Sequence, residues 1–137
     1  KKELLRIPIF GLYLRKIGSI SISRNKTAKE NLGFFDKILK TVNNSTRPLL
    51  IFPQGTRLLP KERSKFKKGA GRIYESLKIK CQPVAINSGY VWPKKQPLSK
   101  NKTITISILK SIEPNLNKED FLELLENNIY DELDKIN

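Results

Sequence analysis

The chain has 137 residues, 38% of them hydrophobic and 29% charged, which suits one folded domain with a core and excludes a disordered polyelectrolyte. Its single cysteine, Cys81, excludes an internal disulfide, and with no histidine anywhere the chain offers no zinc site and no Ser-His-Asp or Cys-His centre. The net charge of +14 sits in residues 1–100, which hold 23 Lys or Arg against 5 Asp or Glu, while residues 101–137 hold 4 against 8.

Such a field attracts polyanions, anionic lipid headgroups or phosphorylated metabolites, and composition does not choose among them. No stretch approaches the roughly 20 apolar residues of a membrane-spanning helix. The first residues are Lys-Lys-Glu rather than Met, and the chain is read as part of a longer protein.

Residues 4–14, LLRIPIFGLYL, are apolar and broken by Pro8 and Gly11, a pattern for a short helix or turn entering a packed segment. Ile17, Ile20 and Ile22 alternate with serines and predict a short strand ending at Arg24. Thr27 is placed to cap a helix with Glu30 at its third position, and Leu32, Phe35, Ile38, Leu39 and Val42 form its stripe to about residue 43. LLIF, residues 49–52, lies between Pro48 and Pro53 and reads as a buried parallel strand. A helix is expected from about Ala70 to Lys78, then a buried strand at PVAIN, 83–87. Residues 88–101 read as a long, ligand-facing loop, TITISI at 103–108 as a half-covered strand with one polar face. Asn115 or Asn117 caps a last helix whose stripe is Phe121, Leu124, Leu125, Ile129 and Leu133. This order of elements predicts an α/β fold, a sheet flanked by helices.

The sharpest local signal is IFPQGTRLLP, residues 51–60. A strand ends at Pro53, Gly55 permits a tight turn close to a ligand, and Thr56 and Arg57 follow with a hydroxyl and a guanidinium. Arg holds two oxygens of one phosphate through its planar fork. Arg24 ends the other predicted strand and is a second candidate for the same anion. The segment 57–72 carries seven basic residues and one acid, suited to a phosphate entrance, to anionic lipid or to plain solvation. Its Gly69-Ala70-Gly71 run offers close packing or a free helix N-terminus, but GxxxxGK[ST] is absent, so a nucleotide P-loop is not expected. The acids form no compelling pair, which leaves a binding module or an incomplete enzyme.

Taken in order, these segments resemble the glycerolphosphate acyltransferase superfamily, specifically the 1-acylglycerol-3-phosphate acyltransferases. KKELLRIPIFGLYLRKIG at 1–18 is similar to the stretch before the family's second block, and GSISISR at 18–24 resembles that block. IFPQGTR at 51–57 resembles the third block and QPVAINSG at 82–89 the fourth. The resemblance implies a partial acyltransferase catalytic domain over residues 1–137, N-terminally incomplete. The family's first block, a His, four residues and an Asp, is expected upstream of Lys1, where the His would serve as general base. No catalytic base is therefore assigned within the chain, and the chain alone is expected to be inactive.

By the same resemblance, Arg24 and Arg57 clamp the acceptor phosphate, Gly55, Thr56 and Pro53 shape the pocket, and Lys2 assists. Gln54 stands where the family usually has Glu, keeping size and hydrogen-bonding reach and losing a charge. The implied reaction moves a fatty acyl group from acyl-CoA or acyl-acyl-carrier-protein to lysophosphatidic acid, giving phosphatidic acid, with no cofactor and no metal. The implied place is the cytoplasmic face of the bacterial inner membrane, against an anionic surface, held peripherally or through an upstream anchor. The rival readings are a non-catalytic anionic-lipid-binding module and a nucleic-acid-binding domain. A nucleic acid is not expected as partner, because Tyr90 and Trp92 are not interleaved with the main basic run.

Overall fold

The computed structural model describes residues 2–20, 28–93 and 97–136. They belong to two compact units, Lys1–Leu49 and Leu50–Asn137.

In the first unit a 3-10 turn, Lys2–Arg6, leads into helix α1, Phe10–Lys16. The two pack so closely that a Cβ on Gly11 would stand 2.3 Å from the Leu5 carbonyl oxygen. Glycine is therefore required there by contact, even inside a helix. The helix ends in a Schellman motif: Gly18 takes φ +75°, its N–H donates to the Arg15 carbonyl, and the Ser19 N–H donates to the Leu14 carbonyl at 2.9 Å. Arg47 closes a further end carbonyl, donating to the Lys16 oxygen at 3.1 Å.

The strand expected from Ile17 is thus corrected at its start. Ile17 is the helix C-cap, Gly18 turns the chain, and residues 19–20 pair with no strand. The rest of that prediction, with Arg24 and the Thr27 cap, lies outside the described residues. Helix α2, Ala28–Asn43, matches its expected span. Ile38 is buried and Phe35, Leu39 and Val42 are half-buried, as the stripe required.

In the second unit helix α3, Lys68–Leu77, packs against the last helix, α5, Lys118–Ile136. Strand β1 is Val84–Ile86, a short helix α4 follows at Ser88–Val91, strand β2 is Ile106–Ile108, and α5 is Lys118–Ile136. The strands pair antiparallel, with Ala85 opposite Ser107. The core is Phe66, Tyr74, Ile112, Phe121 and Leu125. Tyr74 and Phe121 stack with centroids 3.7 Å apart, and the Tyr74 hydroxyl donates to the Glu113 carbonyl. Gly71 lets α3 and α5 approach, since a Cβ there would lie 2.9 Å from the Lys118 oxygen. Asn117 caps α5 as expected: its Oδ1 accepts the Asp120 N–H at 2.8 Å, and its amide donates to the Asp120 carboxylate. In the α5 stripe Phe121 and Leu125 are buried, but Leu124 is exposed and Leu122 takes its place against Gly71.

Further sequence expectations give way here. Residues 49–52 form no strand, and Leu50 and Phe52 are exposed. The run has a proline at each end, which removes two donors, and no described strand lies beside it to build a ladder. The expected sheet flanked by helices is, among the described residues, a two-stranded antiparallel one. Of TITISI only 106–108 pairs, because its partner is three residues long and Thr105 gives its N–H to the Asn87 side chain at 2.8 Å. The polar face is the covered one: Ser107 donates to Glu132 of α5 at 2.5 Å, while Ile106 and Ile108 face outward. Residues 88–101 are not one long loop, since α4 occupies their start and Ser99 donates back to the Val91 carbonyl at 2.8 Å.

Candidate anion site at the 52–57 turn

The turn is built from a hydrogen bond and a conformation. Gly55 donates to the Phe52 carbonyl at 3.1 Å and takes φ +70°, a region open to glycine at little cost. Pro53 at the second position has its φ preset for the turn. The Pro53 carbonyl then accepts the Lys67 N–H at 2.8 Å, which ties the turn to the residue that opens α3. The Lys67 side chain lies alongside Gly55, with its Cγ 3.1 Å from where a Cβ would stand.

Gly55, Thr56 and Arg57 are exposed, and Pro53 and Gln54 are half-buried. The Gln54 amide faces the Tyr130 hydroxyl of α5 at 3.5 Å. That hydroxyl also donates to the Ser64 carbonyl at 2.8 Å and accepts the Ser64 N–H at 3.1 Å. Gln54 thus faces α5 from the turn. Helix α3 begins with Lys67 at its N-cap and Lys68 at its first position, with no side-chain cap and no acid in its first turn. A helix N-terminus carries partial positive charge, so the helix end and Lys67 bring positive potential beside Gly55.

The basic segment 57–72 divides. Arg63 pairs with Asp134, donates to the Tyr130 carbonyl at 3.2 Å and lies over the Tyr130 ring. Lys65 lies 3.4 Å from Glu126, whose other oxygen accepts the Phe66 N–H at 2.8 Å. These two residues fasten the segment to the acidic α5, which accounts for part of the charge asymmetry between the two ends of the sequence. Cys81 is half-buried, and burial pushes its thiol up, away from a nucleophile's range.

Of the residues singled out by sequence, Pro53, Gln54, Gly55, Thr56 and Arg57 lie on this one turn. Arg24 lies outside the described residues. Lys2 is described only in its backbone, on the 3-10 turn of the first unit. Sequence reasoning did not select Lys67 or Tyr130 as site residues. Lys67 could have been found as the first of the two lysines that precede the Gly69-Ala70-Gly71 run. Tyr130 lies 76 residues beyond Gln54 and gave no local signal. Among the described residues no group of His, Cys, Asp and Glu could hold a metal, and no helix is long and apolar enough to cross a membrane.

The acyltransferase family model matches residues 1–87. A 1-acyl-sn-glycerol-3-phosphate acyltransferase of Helicobacter pylori is 37% identical over 129 residues, covering 92% of this chain and 53% of the relative. Proteins of the same name from Pseudomonas aeruginosa and Saccharomyces cerevisiae are 33% and 32% identical, covering 69% and 99% of this chain and 36% and 47% of themselves. The chain therefore spans about half the length of these relatives or less. No solved structure gives a significant match. A family match over more than half of the residues, carried by relatives above 30% identity, places the chain in the acyltransferase family.

Proposed function

We propose that this chain is the phosphate-binding part of a 1-acylglycerol-3-phosphate O-acyltransferase catalytic domain. The observation that carries the reading is the 52–57 turn, with Arg57 beyond it and Lys67 beside it, in a chain whose relatives all bear that enzyme's name. The acceptor is lysophosphatidic acid and the product phosphatidic acid. The donor is an acyl thioester, acyl-CoA or acyl-acyl-carrier-protein.

Arg57 takes two phosphate oxygens, with Arg24 as its second clamp and Lys2 in support. Gly55 and Thr56 let the phosphate approach the backbone, and Pro53 and Gln54 hold the turn. The bound phosphate fixes the glycerol so that its free hydroxyl meets the thioester carbonyl, which replaces a chance encounter by a positioned one. A carbon–oxygen bond forms, the carbon–sulfur bond breaks, and the hydroxyl proton passes through the base to the departing thiolate. That base is a His held by an Asp, on a segment upstream of Lys1. The protein works on the cytoplasmic face of a bacterial inner membrane, where its acceptor and product reside.

The test is acceptor-dependent thiol release. A longer protein carrying the upstream His and Asp, given acyl-CoA or acyl-acyl-carrier-protein, releases free thiol only when lysophosphatidic acid is added. Absence of such release with either donor, in a folded protein, would overturn the proposal.

A further inference from the structure

The start of the first unit exposes an apolar surface that phosphate binding leaves unused. On α1, Phe10, Tyr13, Leu14 and Ile17 recur at the spacing of one helix face. Phe10, Tyr13 and Ile17 are exposed and Leu14 is half-buried. Ahead of them Ile9 is 83% exposed. Its backbone, φ +63° and ψ −57° with the Phe10 N–H bonded to the Pro8 carbonyl at 2.6 Å, is a γ-turn of the strained kind. A β-branched residue rarely takes such a conformation. A strained turn with a large apolar side chain at its tip, followed by an uncovered apolar helix face, is costly in water.

The charge around this face selects what covers it. Residues 4–20 contain Arg6, Arg15 and Lys16 and no acid. Arg15 and Lys16 fall on the side of α1 away from Phe10 and Ile17, by the 100° step of a helix, with the exposed Leu12 between them. An apolar face with cations behind it and an aromatic Tyr at its margin is the pattern of a helix lying in a lipid interface. We propose that the segment 4–17 is a bilayer-docking element, with Ile9, Phe10 and Ile17 among the acyl chains and Arg6, Arg15 and Lys16 against anionic headgroups. The proposal rests on the lipid-substrate reading above for why the surface exists, and goes beyond it in naming the element that engages the membrane.

Binding is measured without donor or acceptor, so it fails or stands separately from the reaction. The full chain carries Trp92→Phe and Phe10→Trp, leaving one tryptophan as reporter. Mixed with vesicles of phosphatidylglycerol and phosphatidylethanolamine bearing brominated acyl chains, the tryptophan shifts to the blue and is quenched; with phosphatidylcholine vesicles it is not. Arg15→Gln with Lys16→Gln weakens vesicle binding about 30-fold, at roughly fivefold per cation near an anionic surface. Ile9→Gly relieves the γ-turn, so its melting temperature holds or rises while vesicle binding falls. That split separates a docking residue from a merely structural one. The proposal is overturned if the F10W reporter is already shielded from acrylamide without lipid, which means that protein covers the face. It is equally overturned if the chain floats with anionic vesicles but the F10W reporter is not quenched, which assigns binding to the 57–72 segment, or if no vesicle binds.

Discussion

Lys67 occupies the space beside Gly55: its Cγ stands 3.1 Å from the position of a Cβ on that glycine, and its backbone N–H donates to the Pro53 carbonyl at 2.8 Å. The turn that presents Thr56 and Arg57 is therefore held open by one glycine and held in place by the residue that starts α3. Gly55→Ala strains a backbone at φ +70° and pushes on the lysine stem. The lysine can move, so the backbone dominates, at about 1 kcal/mol. A melting temperature lowered by about 4 °C is expected. Gly55→Asn, which tolerates this region, recovers part of it. A melt unchanged by Gly55→Ala would mean that the turn is not held as described.

Two glycines two residues apart on α3 respond in opposite directions. A Cβ on Gly69 meets nothing within 4 Å, whereas one on Gly71 meets the Lys118 oxygen at 2.9 Å and Leu122 at 3.0 Å. Gly69→Ala gains helix propensity, up to about 1 kcal/mol. Gly71→Ala has the same propensity gain and loses more, because α5 must move away from α3 and loosen the Tyr74–Phe121 stack. Chemical denaturation of the two variants should give midpoints on either side of the parent.

Tyr130→Phe removes one hydroxyl and strands three groups. The Ser64 N–H and carbonyl lose a partner at 3.1 and 2.8 Å, and the Gln54 amide loses the group it faces. Leaving partly buried polar groups unpaired costs about 1–3 kcal/mol. The loss should appear in denaturant unfolding, and faster amide exchange should appear at Ser64 while α3 keeps its protection.

An acid limb in stability follows from Glu132. The Ser107 hydroxyl holds its carboxyl below the ordinary value of 4.5, aided by Lys135 and opposed by burial. The folded form thus favours the carboxylate, so this contribution is present above pH 4.5 and is lost as pH falls through the folded value. Ser107→Ala should cost stability at pH 7 and progressively less as pH falls below 4.5 through the lowered folded value. Denaturant midpoints of parent and variant at both pH values measure it; a gap that widens on acidification would contradict the assignment.

Local chemistry made much of this molecule legible in advance, and long-range contact hid the rest. The Asn117 cap, the α2 span and the α3 helix are written in neighbouring residues, and the structure has them. The strand at 49–52 was read from an apolar run alone, but a strand also needs a ladder partner, and residues 48–52 have none among the described residues. The Ile17 strand was read through a helix end, because Gly18 is a Schellman glycine whose role depends on the carbonyls of Leu14 and Arg15. In the site, the turn itself was visible as PQGTR. Lys67 was not selected, since its place beside Gly55 follows from how the chain returns after residue 57. Tyr130 was not selected because its partners lie far off in sequence.

The measurement that bears most directly on the phosphate-clamp reading is kcat/KM of a longer protein in which the proposed His and Asp precede this chain, for two acceptors: lysophosphatidic acid and a monoacylglycerol without phosphate. Losing a charge-assisted contact costs roughly 2 kcal/mol, so Arg57→Ala should lower kcat/KM for lysophosphatidic acid about 30-fold, mostly through KM. Arg57→Lys should recover only part, since a point charge lacks the planar fork. For the phosphate-free acceptor parent and variant should be nearly equal. If Arg24 grips the same phosphate, the double variant loses less than the two singles combined. Equal losses on both acceptors, with the fold intact, would contradict the clamp.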